Sequence, residues 1–468
     1  MRFVNPYNGI NFGTVTRVKA ISHEHITSTS SLKNAYDRGI RYFAAVNYTP
    51  AAVSYPLENF SQIVRDWCYL DVSEQFPNGG DNGDDRYSAA RARECVPSFY
   101  SYHQQGLVIT YKNLSNERVY EKLISDPSGI EWSDVCADDS AWRLFPASEL
   151  QKELVLVDCV YTSGFPSFTD KDGNTVDTSS LVQLPNSEHT RIRYDFDSDN
   201  GVCPHLNVLG TLWNEPSHSY KKSNQFTYDY PIHDLQSLNF NVLDTEKQLF
   251  EGKIFGTINH TGDVSVVRKV LNGSPNVFKA MELFNQYYSP AERQSFRNAY
   301  DALLREGFRI WGTSVVDWQG TRTPESEAEC PFDRGCNVLL INGYDSIPSN
   351  TKSEAGLDAY LDGRFYASGL GNHYITELST FANTVFFSVD GNPSKIQAIT
   401  SGRKIEGTGN TMSVAILPGE TYIRFEVFYY DDEKTDMDFI FTNPVFIEDN
   451  DIESVIKTPK LCYALGVL

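Results

Sequence analysis

The chain has 468 residues, 40% of them hydrophobic and 13% aromatic, which is apolar content enough for about two or three ordinary domain cores. Its formal net charge of −21, with no block of Lys or Arg, excludes tracking along a nucleic-acid backbone, so no nucleic-acid partner is expected, whereas a small phosphorylated substrate stays compatible because a bound cation reverses the local potential. No stretch approaches the roughly 20 apolar residues of a membrane span, and the opening residues lack the apolar core of a secretory signal, so a cytoplasmic location or one within a viral particle is expected.

In chain order, residues 17–22 predict a strand, 31–38 a helix ended by Gly39, and 40–46 a second strand. That is a β-α-β unit, and it predicts a parallel sheet or barrel. At the end of the first strand stand His23-Glu24-His25. Two imidazoles two residues apart on a strand project from one side and can grip one metal ion, while Glu24 points the other way. Beyond Pro56 the pattern loosens, with exposed turns at 77–85 and 169–174, and residues 56–180 are read as an inserted subdomain.

Apolar runs resume at 181–184, 206–210, 253–258, 280–284, 309–316 and 338–341. A helix is predicted over 289–306, opened by Ser289-Pro290-Ala291-Glu292 and stopped at Gly307. These elements predict an α/β fold, a closed parallel TIM-like barrel assembled from residues 1–55 and 181–378. From Thr384 the period changes to two, over 385–389, 413–417 and 422–430, which predicts a small antiparallel β-sandwich at 379–450, followed by a tail at 451–468. The eight Cys form no Cys-x-x-Cys pair and are read as reduced, buried small hydrophobes, Cys330 and Cys336 being the closest to a pair.

A chance His-x-His is common, so the test of His23 and His25 is whether other metal-binding residue types also end strands. Glu188 follows the run at 181–184, His260 follows 253–258, Asp317 follows 309–316, and His205 stands just before 206–210. Substrate-contact candidates near these segments are His189, Arg191, His218, Arg322 and His373; Arg322 is the first choice, because a guanidinium matches phosphate in a bidentate fork. His103 and His233 are read as structural.

This ordered set resembles the polymerase and histidinol phosphatase (PHP) superfamily of metal-dependent phosphoesterases. His23-Glu24-His25 resembles that family's first motif, and residues 184–188 resemble the segment ending in its bridging glutamate. His205 resembles the following histidine, Asn259-His260-Thr261-Gly262 its Asn-His-Pro segment, and Asp317 the aspartate of its final Asp-x-His. Residues 363–369, followed by a β module ending Phe441-Thr442-Asn443-Pro444-Val445, resemble a branch with an appended sandwich.

The resemblance implies a distorted TIM-like PHP barrel of about seven or eight β/α units. It implies two divalent ions (Zn, Mn or Fe), one held by His23, His25, Glu188 and Asp317 and the other by Glu188, His205 and His260. The implied activity is hydrolysis of a small phosphorylated substrate, with Glu188, Asp317 and Arg322 as catalytic residues. Two departures stand out: Tyr48 and Gln319 replace the histidines of the family's third metal site. They support a second reading, a catalytically reduced structural or binding component of a viral particle or other assembly, with the sandwich and insertion as oligomer contacts.

Overall fold

The computed structural model describes residues 1–26, 29–46, 165–189, 203–212, 235–317, 334–430 and 436–448, together with the backbone of short strands at 58–59, 95–103, 106–113, 119–124, 143–144, 192–193, 213–214 and 233–234. Strand β1 (Thr16–Ile21) runs through helix α1 (Thr29–Asp37) into β2 (Tyr42–Phe43), and the two strands pair in parallel. The helix stops where Gly39 adopts φ +92, with the Ile40 N–H donating back to the Ala35 carbonyl, a left-handed turn that a residue with a Cβ adopts only at a cost. β3 (Val182–Gln183) lies parallel on β2. The inserted segment therefore leaves and re-enters between adjacent strands of one sheet, and it carries its own four-stranded sheet, in which Cys95–His103, Gly106–Asn113, Val119–Ile124 and Arg143–Leu144 pair in antiparallel order.

A second sheet has five strands in the order β4 (Asn186–His189), β5 (Leu206–Leu209), β6 (Phe255–Ile258), β7 (Phe278–Asn285) and β8 (Trp311–Val315). Between β5 and β6 the chain forms α2 (Leu235–Leu243), which buries Leu238 and Val242. The crossovers from β6 to β7 and from β7 to β8 are α3 (Val264–Gly273) and α4 (Pro290–Arg305). At the start of α4 the Ser289 side chain accepts from the Glu292 N–H while the Glu292 carboxylate accepts from the Ser289 N–H, so two end groups of the helix are satisfied reciprocally. Phe296, Ala299, Tyr300, Leu303 and Leu304 then form one buried face at helical spacing.

The closed parallel barrel is not what the chain builds. Within these two sheets the parallel pairs are limited to β1-β2-β3 and β6-β7-β8; β4-β5 and β5-β6 are antiparallel, and β9 (Cys336–Ile341) lies antiparallel between β1 and β10 (Phe365–Ser368), across the crossover helix α5 (Lys352–Leu361). Strand outweighs helix among the described residues, and the two sheets do not join into one ladder. The physical reason for the misreading is that an apolar run such as 338–341 reports burial on both faces but carries no information on strand direction or neighbour. Where the sheets meet, asparagine side chains replace the ladder: Asn337 Oδ1 accepts from the Ser314 N–H at 3.0 Å and its Nδ2 donates to the Ser314 carbonyl, while Asn186 Nδ2 donates to the Ala44 and Ser22 carbonyls.

The C-terminal strands are antiparallel, as their period of two predicts, yet they are no separate sandwich. β11 (Ile375–Phe381), β12 (Thr384–Val389) and β15 (Thr411–Ala415) form a three-stranded layer. The layer facing it contains β13 (Lys395–Thr400), β14 (Lys404–Gly407), β16 (Tyr422–Tyr430), β17 (Asp436–Thr442) and β18 (Val445–Glu448), and β17 pairs with β10, so this layer continues the sheet that holds β1. Phe387 of one layer stacks on Phe425 of the other at 4.1 Å, inside a core shared with Val338 and Leu340 of β9. Among the described residues no helix is long and apolar enough to cross a membrane.

Candidate metal centre

Six side chains named from the sequence converge on one rim, and the strand directions explain how. His23 and His25 follow the end of β1, and Asp317 follows the end of β8, where its N–H donates to the His23 carbonyl at 3.2 Å. Because β5 is antiparallel to both neighbours, its first residue, Leu206, sits opposite Ile258 at the end of β6 and His189 at the end of β4. His205, just before β5, therefore reaches the same rim as Glu188 and His260, and its carbonyl accepts from the Asn259 N–H.

The ligand-type atoms form two groups, His23 with His25 and Asp317, and Glu188 with His205 and His260; within each group they lie within 4.8 Å of one another. Glu188 links them. Its Oε1 lies 3.2 Å from His23 Nε2, 2.7 Å from His205 Nδ1 and 3.9 Å from His260 Nε2, and its Oε2 lies 3.3 Å from His25 Nε2. Asp317 Oδ1 stands 3.1 Å from His23 Nε2 and 3.5 Å from His25 Nε2.

Three further observations fit this set to metal ions. Among the described residues His23 Nε2, Glu188 Oε2 and Asp317 Oδ1 are buried with no hydrogen-bond partner, a costly state for atoms that are all good metal donors. Only three described non-glycine residues have a left-handed φ, and two of them are His260 at +29° and Asp317 at +54°, strain of a kind that clusters at functional sites. Third, His23 Nδ1 is 2.7 Å from Glu282 Oε1. A carboxylate only accepts, so Nδ1 carries the proton and the Nε2 lone pair is aimed at the centre, the usual way a carboxylate orients a metal-binding imidazole. The buried His, Glu and Asp groups thus offer a site able to hold metal ions.

Glu282 is a member that the sequence reading missed. It is fully buried in β7, accepts from the His260 N–H at 2.8 Å and from Asn285 Nδ2 at 3.0 Å, and Asn285 also donates to Asp317 Oδ2. The signal was a carboxylate and an amide inside the otherwise apolar run Met281-Glu282-Leu283-Phe284-Asn285. Beneath the rim lies a layer of buried amides also absent from the sequence reading: Asn186 and Asn207 both donate to the Ser22 carbonyl, Asn337 donates to Ser22 Oγ, and Asn259 donates to Asn207 Oδ1. Ser22 precedes His23, so this layer fixes the backbone that presents both first-strand imidazoles.

Burial opposes charge on His23, His25, His260, Glu188 and Asp317, yet their attraction to oppositely charged neighbours wins. The carboxylates of Asp317, Glu188 and Glu282 raise His23 well above the ordinary histidine range, and Asp317 and Glu188 raise His25. His260 is raised by Glu188, Glu282 and Asp317. In turn His23 and His205 hold Glu188 well below the usual carboxylate range, and His23 and His25 do the same for Asp317. A cluster this hungry for positive charge is what a dication completes.

The remaining candidates fall elsewhere. Glu24 faces away, as expected, and accepts from Arg38 at 2.6 Å. His189 is fully buried beside Ser187 Oγ at 2.9 Å, and burial, against the pull of Glu188, drives its pKa down to about 3, so it is a neutral packing group rather than a substrate contact. His373 stacks on Tyr429 at 3.6 Å and faces Asp390, apart from the ligand set. Arg191, His218, Arg322, Tyr48, Gln319 and Cys330 lie outside the described residues, and of His103 and His233 only the backbone is described. Cys336 is buried, and burial pushes its thiol up to about 12. A scan against protein-family models, a search of curated proteins and a search of solved structures each found no match.

Proposed function

We propose that this protein is a metal-dependent phosphoesterase acting on a small phosphorylated substrate, with two divalent ions of zinc, manganese or iron as cofactors. The observation that carries the reading is the meeting of two donor groups on the single carboxylate of Glu188, with His23 Nε2, Glu188 Oε2 and Asp317 Oδ1 buried and without a hydrogen-bond partner among the described residues. The order of these residues along the chain, which resembles that of PHP phosphoesterases, supports phosphate ester as the bond attacked.

In this reading His23, His25, Glu188 and Asp317 hold one ion and Glu188, His205 and His260 the other. When bound, such ions lower the pKa of water and offset the negative charge of a phosphate. The chain's own residues do the rest. Glu282 and Asn285 lock His23, His260 and Asp317 in place, so the site is set before substrate arrives. His205, with 35% of its side chain exposed, marks the open side, whereas His23, His25, Glu188 and Asp317 are buried, so substrate approaches from the His205 and His260 edge. Tyr288 stacks on His260 at 5.1 Å; burial together with the carboxylates of Asp317 and Glu282 raises its phenol, which stays protonated at neutral pH and able to donate to a phosphate oxygen. Arg322, in the segment after β8, is assigned to the substrate phosphate.

The test is hydrolysis of p-nitrophenyl phosphate by the full chain with added Zn, Mn or Fe. The expected result is metal-dependent turnover that Glu188→Gln lowers by at least about 100-fold, the scale on which removing a shared ligand disables such a centre. Absence of turnover with any of the three metals, or a Glu188→Gln variant as active as the parent, contradicts the reading, and the first result combined with bound metal favours the structural role instead.

A further inference from the structure

Away from the metal centre, α4 and the strands β13 and β16 enclose a cleft of about 600 Å³, a size that suits a small molecule rather than a polymer. Its lining is strongly basic for a chain of net charge −21: Arg297 and Arg305 from the helix, Lys395 from β13, Arg403 from the turn before β14 and Lys404 at the start of β14. The acidic residues of the same wall are already engaged. Arg424 grips Asp301 with Nε and Nη2 at 2.7 and 2.9 Å and Glu426 with Nη1 at 2.8 Å. Arg297 is paired with Glu426, Arg403 with Glu420 and Lys395 with Glu406, which leaves Arg305 and Lys404 as cations with no ionic partner among the described residues.

A second, independent feature points to a ligand. Gln397 lines the cleft and is 2% exposed; its Nε2 donates to Glu426 Oε2, while its Oε1 accepts nothing among the described residues. Glu426 fixes the orientation of the amide, since a carboxylate accepts and therefore faces the NH2 end. The carbonyl end is a buried acceptor waiting for a donor.

We propose that this cleft binds a small phosphomonoester bearing a hydroxyl group, with the phosphate dianion held by Arg305 and Lys404 and the hydroxyl donating to Gln397 Oε1. Two cations match the charge of about −1.5 to −2 that a phosphomonoester carries at neutral pH. No residue of the metal centre lines the cleft, so this site is separate from the proposed active site and does not depend on it.

The experiment is isothermal titration calorimetry of the full chain with glycerol phosphate, inorganic phosphate and glycerol, performed on the parent and on Glu188→Gln. The proposal expects glycerol phosphate to bind more tightly than inorganic phosphate, glycerol alone not to bind, and Glu188→Gln to retain the binding. Arg305→Glu combined with Lys404→Glu, two exposed positions whose reversal leaves the core intact, should weaken glycerol phosphate by at least about tenfold. Gln397→Leu should bring glycerol phosphate down to the affinity of inorganic phosphate. Absence of binding, binding unaffected by the charge reversal, or binding lost in Glu188→Gln alone overturns the site, and an unchanged preference for glycerol phosphate in Gln397→Leu overturns the role of the amide.

Discussion

Arg424 and Glu188 are both charged and both buried, at 0% and 7% exposure, but their surroundings differ in kind. Arg424 lies between two carboxylates in fork geometry, with three hydrogen bonds of 2.7 to 2.9 Å, and the cluster is closed. Around Glu188 the imidazole nitrogens stand at 2.7 to 3.9 Å, donor atoms lack hydrogen-bond partners, and two neighbouring residues sit in left-handed backbone conformations. A saturated cluster supports the fold; an unsaturated one, maintained at a cost in strain and desolvation, is built to receive something.

The largest effect should come from breaking the saturated cluster. Arg424→Met strands the carboxylates of Asp301 and Glu426 in the interior, and we expect a loss of about 3–5 kcal/mol in denaturant unfolding, without change in metal content. A loss below about 1 kcal/mol would erase the contrast between the two regions. Glu282→Gln tests the other side: the glutamine keeps the shape but no longer enforces the proton on His23 Nδ1, and metal affinity measured by competition with a chelator should fall by about 10–100-fold while the fold persists.

A smaller effect is expected between Asp317→Gly and Asp317→Ala. Both variants lose the carboxylate, but glycine accepts φ +54 without penalty and alanine does not, so with a chelator present Asp317→Gly should be about 1 kcal/mol more stable than Asp317→Ala, both binding metal more weakly than the parent. Equal or lower stability of the glycine variant would show that no strain is held there.

The smallest effect concerns acid. Burial raises and Arg424 lowers the pKa of Glu426, with a net depression, and Glu420 is likewise depressed against burial by Arg403 and Thr400. Carboxylates depressed in the folded state stabilise it above their unfolded value of about 4.3 and lose that contribution as pH falls through the lower folded value. Stability measured by urea melts should therefore decline as pH drops below about 4, and the decline should be shallower in Arg424→Met, where the main partner of Glu426 is gone.

How far the sequence disclosed this arrangement varied with the physics of each signal. The capping box at Ser289 and Glu292 and the stop at Gly39 were legible, because local hydrogen bonding and backbone sterics decide them. His23, His25, Glu188, His205, His260 and Asp317 could be picked out because each flanks an apolar run, and the structure brings all six together. Strand direction was not legible, for a buried run reads the same either way, and so a closed parallel barrel was expected where two mixed sheets are stitched by Asn186 and Asn337. Glu282 escaped for a related reason: it sits within an apolar strand instead of past its end, and only β7's neighbours show that it faces His23.

The most direct test of the central claim is the metal content of the purified full chain and of Glu188→Gln, by elemental analysis after incubation with Zn, Mn and Fe and exhaustive dialysis. The account predicts about two ions per chain in the parent and fewer than about one in the variant, since the shared carboxylate serves both donor groups. No retained metal in the parent, or equal retention by Glu188→Gln, would contradict it.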